Sequence, residues 1–126
     1  MDFFLAVFFL LLCGHALADY SLQTDFIAKG KSRLAPPGPV PWYYIMASHE
    51  LIHGGTVAGV LIMAFLCAGH QPLLVPIAVA IVGSLESVLH FGIDMLKCEG
   101  LTNIHQDQAA HVACKLLYSL LFVNVT

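Results

Sequence analysis

Histidine and aspartate recur in pairs, four residues apart, along this sequence. Residues at positions i and i+4 lie on one face of a helix. Imidazole and carboxylate groups bind zinc, iron and manganese, and they form metal sites when they project inward from facing helices. The pattern therefore predicts a metal site with eight candidate ligands. They are His15 and Asp19, His49 and His53, His90 and Asp94, and Asp107 and His111.

Five histidines and three aspartates exceed the four ligands of one tetrahedral zinc site. We therefore expect one or two divalent transition-metal ions, with zinc as the leading candidate. Three aspartates buried in lipid would be costly alone, and divalent cations would neutralise them. The alternative is a polar network of neutral histidines and paired aspartates that holds the helices together without a metal.

Two glutamates could supply acid–base chemistry beside a metal. Glu50 lies between His49 and His53 in a segment that matches the motif HExxH, in which the glutamate activates a metal-bound water. Glu86 precedes His90 by one helical turn and shares its face. Glu50 and Glu86 are therefore the candidate catalytic residues.

The composition indicates a membrane protein. The chain has 126 residues, of which 59% are hydrophobic and 10% charged, and its mean hydropathy is +0.83. Soluble domains carry about 25% charged residues. A net charge of −3 gives no basis for nucleic-acid binding. We expect the lipid bilayer as the partner, and the sequence leaves open whether copies associate as a homo-oligomer.

Four apolar segments, at about residues 3–19, 42–68, 72–96 and 105–123, approach the roughly 20 residues that a helix needs to cross the hydrocarbon. They predict an all-α integral membrane four-helix bundle, in a single domain covering residues 1–126. After the first span, Leu22 and Phe26 lie four residues apart, which favours a short interfacial helix. The following APPGPVP predicts an extended linker. Asn103 is expected to cap the last helix.

Basic residues predict the orientation. Lys29, Lys31 and Arg33 lie in the first connection and Lys97 begins the third, whereas GHQP, which joins spans two and three, contains no lysine or arginine. The positive-inside rule places the charged connections in the cytoplasm. We therefore expect a protein of the bacterial inner membrane with both termini outside the cytoplasm. All eight candidate ligands then fall in the cytoplasmic leaflet. We expect the basic cluster to touch anionic lipid and His70 to be solvated.

The first span also has a feature of a secretory signal peptide. Ala16-Leu17-Ala18 is a small-x-small pattern, and cleavage after Ala18 would leave three spans and move Asp19 outside. A signal peptide begins with a positive region, whereas this chain begins Met1-Asp2. We favour a first helix that is retained.

These motifs resemble those of a family known as domain of unknown function 3307, small integral membrane proteins of bacteria and phages. In that family a histidine near the end of an apolar helix precedes Ala-Asp, an aliphatic residue, Gln and a lysine-containing stretch. Here the segment is GHALADYSLQTDFIAKGKS, and the resemblance continues through the histidines of span two, HFGID and CEGLTNIHQDQAAH. It implies a membrane location and one unit formed by the four motifs. HFGID is also similar to the His-x3-Asp of predicted membrane-bound metal-dependent hydrolases.

Three functions remain open. The first is a metal-dependent hydrolase at the cytoplasmic face, acting on an ester or phosphoester. The second is a metal-ion or proton transporter, although the outer halves of spans two and three are almost wholly apolar. The third is a non-enzymatic phage or bacterial membrane factor whose polar layer is structural.

Overall fold

The computed structural model describes residues 3–69 and 75–123, and the regular elements in these ranges are all helical. The all-α prediction is thus confirmed there. His70 and the first residues of the third predicted span, 72–74, lie outside the described residues. The helices are α1 (Phe3–Ala16), continued by a π-helical turn (Leu17–Ser21), α2 (Asp25–Gly30), α3 (Trp42–Cys67), α4 (Val75–Cys98) and α5 (Ile104–Val123).

Each of the four long helices packs against two others. Helix α1 contacts α3 and α5, and α4 also contacts α3 and α5, so the four close into a ring, while the short α2 packs on α3. An apolar core fills the end of this ring that holds the start of α1 and the end of α5. It includes Val7, Leu11, Val57, Leu61, Phe65, Val79, Tyr118 and Phe122.

Charged side chains face inward and apolar side chains face outward. The buried polar set includes all eight candidate ligands together with Glu50, Glu86, Lys31 and Lys115, whereas Leu51 and Val88 are 69% and 68% exposed. Soluble proteins show the opposite distribution for charged residues. Three helices, Phe3–Ser21, Trp42–Cys67 and Pro76–Cys98, are long and apolar enough to cross a membrane. Together these features indicate a membrane protein.

The turn between α4 and α5 is fixed by local hydrogen bonds. Gly100 has a positive φ of 75°, and Leu101 N–H donates to Leu96 O at 2.9 Å, which ends α4 in the manner of a Schellman motif. Asn103 Oδ1 accepts from the N–H groups of His105 and Gln106 at 3.0 Å, so the predicted N-cap is confirmed. This turn sets the position of α5 relative to α4.

Helices α3 and α4 approach each other through glycine. A Cβ placed on Gly54 would lie 2.5 Å from Gly83 O and would also collide with Ser87 Oγ, and a Cβ on Gly83 would lie 3.0 Å from Gly54 O. Small residues allow this backbone contact between transmembrane helices. The contact lies one residue beyond His53 and so fixes the separation of the two helices that carry His49, His53 and His90.

Replacing Gly54 with alanine is expected to lower the free energy of unfolding by about 1–3 kcal/mol, the usual cost of overpacking. Thermal unfolding of the detergent-purified protein, followed by circular dichroism, measures the change. Gly55→Ala is the matched control, because a Cβ at Gly55 meets no atom within 4 Å. Equal melting temperatures for the two variants would contradict the close contact.

Candidate metal centre

The structure brings together all eight candidate ligands. Each is at most 5% exposed, and each belongs to at least one group of three or four donor residues whose ligand atoms lie within 4.8 Å of one another. The groups are Asp19, His49, His53 and His90; His15, His90 and His111; His49, Glu50, His90 and Asp94; and Asp94, Asp107 and His111.

The first group is centred on one carboxylate oxygen. Asp19 Oδ1 lies 3.3 Å from His53 Nε2, 3.5 Å from His49 Nε2 and 4.0 Å from His90 Nε2. Asp19 lies in the π-helical turn after α1, the two histidines four apart lie on α3, and His90 lies on α4. Three separate segments therefore converge on one point.

These four atoms have the spacing of metal ligands and lack hydrogen bonds. Ligands about 2.0–2.1 Å from a tetrahedral zinc ion are about 3.3 Å from one another. The shortest contact, from His53 Nε2 to Asp19 Oδ1, equals this edge, and all three contacts exceed the 2.7–3.2 Å of an N–H···O hydrogen bond. Asp19 Oδ1 and the Nε2 atoms of His49, His53 and His90 have no hydrogen-bond partner among the described residues.

A carboxylate sets the orientation of the His90 ring through the nitrogen Nδ1. His90 Nδ1 donates to Glu50 Oε2 at 2.9 Å, so Nε2 is left to face Asp19. Metal-binding histidines commonly donate their second ring N–H to a carboxylate in this way. Ser87 Oγ donates to the backbone O of Glu50 at 3.0 Å, which connects α3 and α4 beside this pair. Glu50 therefore has the position of a residue that orients a ligand.

Three imidazole rings stack through the centre of the site. The ring of His90 lies between those of His53 and His111, with centroid separations of 3.6 and 4.0 Å and interplanar angles of 24° and 23°. Parallel imidazolium cations at this distance would repel each other. The stack therefore suits neutral imidazole, which is the form that binds a metal.

Two lysines neutralise the second aspartate of the cluster. Asp94 Oδ1 accepts from Lys97 Nζ at 2.8 Å, and Asp94 Oδ2 pairs with Lys31 Nζ. Lys97 Nζ also donates to Asp107 Oδ2 at 2.9 Å and so bridges the two carboxylates. The sequence predicts Asp94 as a metal ligand, but in the structure two ammonium groups pair with its carboxylate. In this respect Asp94 differs from Asp19.

The remaining ligand candidates are His15, Asp107 and His111. His15 Nε2 donates to Gln108 Oε1 at 3.3 Å, and Gln108 Nε2 donates to Asp19 Oδ2 at 3.0 Å, which ties α5 to the π-helical turn. His111 Nε2 lies 3.6 Å from Asp107 Oδ1, and neither atom has a hydrogen-bond partner within the described ranges. Gln108 therefore supports Asp19.

Glu86, the other candidate catalytic residue, does not join the ligands. Its carboxylate pairs with Lys115 Nζ at 2.5 Å, and both side chains are fully buried. Among the described residues Glu86 belongs to none of the four donor groups. The pair instead extends the polar face one turn from the histidines towards the apolar core, because Glu86 precedes His90 by four residues and Lys115 follows His111 by four.

The expected lipid contact of the basic cluster is wrong for Lys31. Lys31 is 2% exposed, and besides Asp94 it donates to Gln23 Oε1 at 2.6 Å. The other two cluster members pair nearby, Lys29 with Asp25 at 2.7 Å and Arg33 with Glu99 at 2.7 Å. The sequence alone could not distinguish the buried Lys31 from Lys29 and Arg33, because Asp94, with which Lys31 pairs, is 63 residues away. The Lys97 contact could have been found from its position three residues after Asp94.

The chain matches one family model, described as a protein of unknown function (DUF3307), over residues 7–126, and it belongs to that family. The resemblance noted in the sequence is thereby confirmed. Neither the curated proteins nor the solved structures gave a match.

Lys31→Met is expected to destabilise the protein by about 3–5 kcal/mol, because it leaves the Asp94 carboxylate buried beside a single lysine. Lys29→Met is the matched control, since the Lys29 side chain is 78% exposed and its ion pair lies in solvent. Chemical or thermal unfolding in detergent compares the two. If the two variants unfold at the same midpoint, the buried pair does not stabilise the fold.

Proposed function

We propose that this member of the DUF3307 family holds one divalent transition metal, zinc, between Asp19, His49, His53 and His90, and uses it to hydrolyse an ester or phosphoester. The observation that carries the proposal is the convergence of three Nε2 atoms on Asp19 Oδ1 with no hydrogen bond among them. Three imidazoles and one carboxylate suit zinc, and the shortest of the three distances equals its tetrahedral edge.

A purely structural network explains these atoms less well. Buried polar groups in native proteins are almost always hydrogen-bonded, and a network that locks helices together should satisfy its own members. Here many of the satisfied polar pairs include lysine or glutamine, such as Lys97 with Asp94 and Gln108 with Asp19, and the pair of His90 Nδ1 with Glu50 Oε2 is a further one. Among the described residues, the unsatisfied atoms include one ligand atom from each of the four proposed ligands, as well as Asp107 Oδ1, His111 Nε2 and Glu50 Oε1.

The charge of the interior also favours one cation. Its carboxylates are Asp19, Glu50, Glu86, Asp94 and Asp107, and its ammonium groups are Lys31, Lys97 and Lys115. Full ionisation of these five acids and three bases leaves an excess of two negative charges. A low-dielectric interior strongly disfavours such an excess of negative charge. A single divalent ion would balance it.

Such a metal, with a water as a fifth ligand, would lower the pKa of that water and would polarise the oxygen of an ester or phosphoester. Glu50 is the residue that would handle the proton. Its Oε2 holds His90 Nδ1, and its Oε1 is buried without a hydrogen-bond partner among the described residues. In the net reaction water supplies hydroxide to the acyl carbon or phosphorus and a proton to the leaving oxygen. Glu50 would accept that proton and return it.

The proposal includes α5 as a fourth membrane span of the bundle. Its average hydropathy is lowered by Asp107, His111 and Lys115, which all face the interior. Its outward face carries the 40–50% exposed side chains of Val112, Leu116, Leu117, Leu120 and Leu121. Its 20 residues span about 30 Å, the thickness of the hydrocarbon. With four spans in the inner membrane, both termini lie outside the cytoplasm, α2 lies at the cytoplasmic interface, and the metal lies in the cytoplasmic leaflet.

A transporter receives less support. A path across the membrane needs polar groups or a water-filled cavity along its whole length. Beyond Tyr118 the described interior is the apolar core of Leu61, Phe65, Val79 and Phe122. The cavity there measures about 80 Å³.

Elemental mass spectrometry of protein purified without chelators is expected to find about one equivalent of zinc per chain. Asp19→Asn and His53→Gln should each lower metal affinity by at least about tenfold, because each removes one of four ligands. His105→Gln, at an exposed histidine outside the donor groups, is the matched control. A parent protein without stoichiometric metal would refute the proposal. Intact-mass measurement should also show that the mature chain retains Asp19.

Glu50→Gln is expected to retain the metal and to lower hydrolysis by about 100- to 10,000-fold, the range for loss of a general base. Glutamine can still accept from His90 Nδ1, so the ligand orientation is kept. A panel of chromogenic esters, phosphomonoesters and phosphodiesters measures the rate in detergent micelles. His105→Gln should hydrolyse at the parent rate. If Glu50→Gln loses the metal as well as the activity, Glu50 stabilises the metal site and does not serve as the general base.

A reporter fused to the end of the chain is expected to lie outside the cytoplasm. Alkaline phosphatase, which is active only outside, should be active there and inactive when fused after Thr102, in the turn between α4 and α5. A fluorescent protein that folds only in the cytoplasm should give the opposite result. If both fusion sites report the same side, α5 does not cross the membrane.

A further inference from the structure

A second group of donor residues lies beside the four proposed ligands, where α4 ends and α5 begins. Asp94, Asp107 and His111 each offer a ligand atom, the three atoms lie within 4.8 Å of one another, and each residue is at most 1% exposed. Asp107 Oδ1 and His111 Nε2 lie 3.6 Å apart, and neither has a hydrogen-bond partner among the described residues. Two buried donor atoms without hydrogen bonds are costly unless a further group binds to both of them.

We propose that these three residues form a second site for a divalent cation, which Lys97 closes and which opens when that lysine moves into solvent. The ligands are Asp107 Oδ1, His111 Nε2 and Asp94 Oδ1, and water completes the coordination. The inference goes beyond the proposed function, which needs a single ion. It rests on that function in one respect, because the first site is taken to be filled.

The ammonium group of Lys97 lies between the two carboxylates of this group. Lys97 Nζ donates to Asp94 Oδ1 at 2.8 Å and to Asp107 Oδ2 at 2.9 Å. The Lys97 side chain is 24% exposed, whereas those of both partners are 0% exposed, so the lysine is the member of this trio that reaches solvent. Lysine has a flexible four-carbon stem, so its ammonium group can withdraw and be replaced by an ion.

The two carboxylates keep other partners when Lys97 withdraws. Asp107 Oδ2 still accepts from Gln108 Nε2 at 3.1 Å, and Asp94 Oδ2 still pairs with Lys31 Nζ. The oxygen that loses its partner is Asp94 Oδ1, which becomes the third ligand of the ion. After the exchange, each of the four oxygens of these carboxylates therefore has either the ion or a protein donor as its partner.

The charge of the interior makes the second site weaker than the first. One divalent ion balances the excess of two negative charges among the buried acids and bases. A second ion adds two positive charges and the departure of Lys97 removes one, so the interior then carries a single positive charge. A low-dielectric interior disfavours that charge. We therefore expect the second ion to be lost during purification and to return when metal is added.

The ligand types favour manganese at the second site. The first site has three imidazoles and one carboxylate, whereas the second has two carboxylates and one imidazole. Imidazole suits zinc, whereas carboxylate and water suit manganese. Manganese also binds more weakly than zinc to a given site, so added Mn²⁺ should leave zinc in the first site.

The test is titration of the zinc-loaded full chain in detergent with Mn²⁺, followed by electron paramagnetic resonance, because the sharp signal of free Mn²⁺ broadens on binding. We expect about one bound Mn²⁺ per chain, with no loss of zinc. Asp107→Asn and His111→Gln should each lower the affinity for Mn²⁺ by at least about tenfold and leave the zinc content unchanged. His105→Gln, at an exposed histidine of the same helix, is the matched control.

Lys97→Met is expected to raise the affinity for Mn²⁺ about tenfold, as it should if the lysine occupies the site for about nine-tenths of the time. Arg33→Met is the matched control, because it also removes one positive charge, but from an ion pair with Glu99 outside the donor group. Lys97→Gln is a second variant in case Lys97→Met does not fold, since glutamine lacks the charge and keeps a hydrogen-bond donor.

Three results would overturn the inference. They are a zinc-loaded protein that binds no Mn²⁺ at millimolar concentration, an affinity for Mn²⁺ that is equal in Asp107→Asn and the parent, and an affinity that does not rise in either Lys97 variant. Zinc content measured on the same samples separates the two proposals. Mn²⁺ bound in the expected pattern by a protein that holds no zinc refutes the zinc hydrolase alone, and one zinc without bound Mn²⁺ refutes the second site alone.

Discussion

An aspartate carboxylate inside a membrane protein has to be balanced, and that requirement organises this molecule. Asp19 is 5% exposed, and its Oδ1 faces three imidazole nitrogens at 3.3–4.0 Å without a hydrogen bond to any of them. Neutral imidazoles supply no positive charge, so they do not compensate the carboxylate by themselves. The neighbouring carboxylate of Asp94 has the opposite solution, since two lysines surround it. The contrast between two aspartates in one cluster is the strongest indication of what Asp19 is for.

Much of the site could be predicted from the sequence because its residues repeat at helical spacing. His15, His49, His90 and Asp107 each have a partner four residues later, and all eight side chains meet in the structure. The helical class and the cap at Asn103 follow from equally local signals, namely apolar segment length and side-chain chemistry at a helix start.

The roles within the cluster could not be predicted, because they depend on contacts between distant segments. Glu50 belongs to a local motif that suggests a base, yet its nearest partner is His90, 40 residues away on another helix. Lys31 follows a short exposed helix and reaches Asp94 across 63 residues. The average hydropathy of α5 likewise hides a charged inner face and an apolar outer face, which become distinct only in the packed structure. Sequence spacing identifies which side chains share a face, but tertiary packing decides which partner each one meets.

The close glycine contact between α3 and α4 has a consequence for how the protein is assembled. It holds His49, His53 and His90 on a single rigid pair of helices, while Asp19 comes from a segment that is synthesised before both of them. In a nascent chain the set of four proposed ligands is therefore incomplete until α4 has been synthesised and has docked on α3. If the proposed ion were captured at that moment, it would join the segment of Asp19 to the interface of α3 and α4, and metal acquisition would then be a checkpoint of biogenesis.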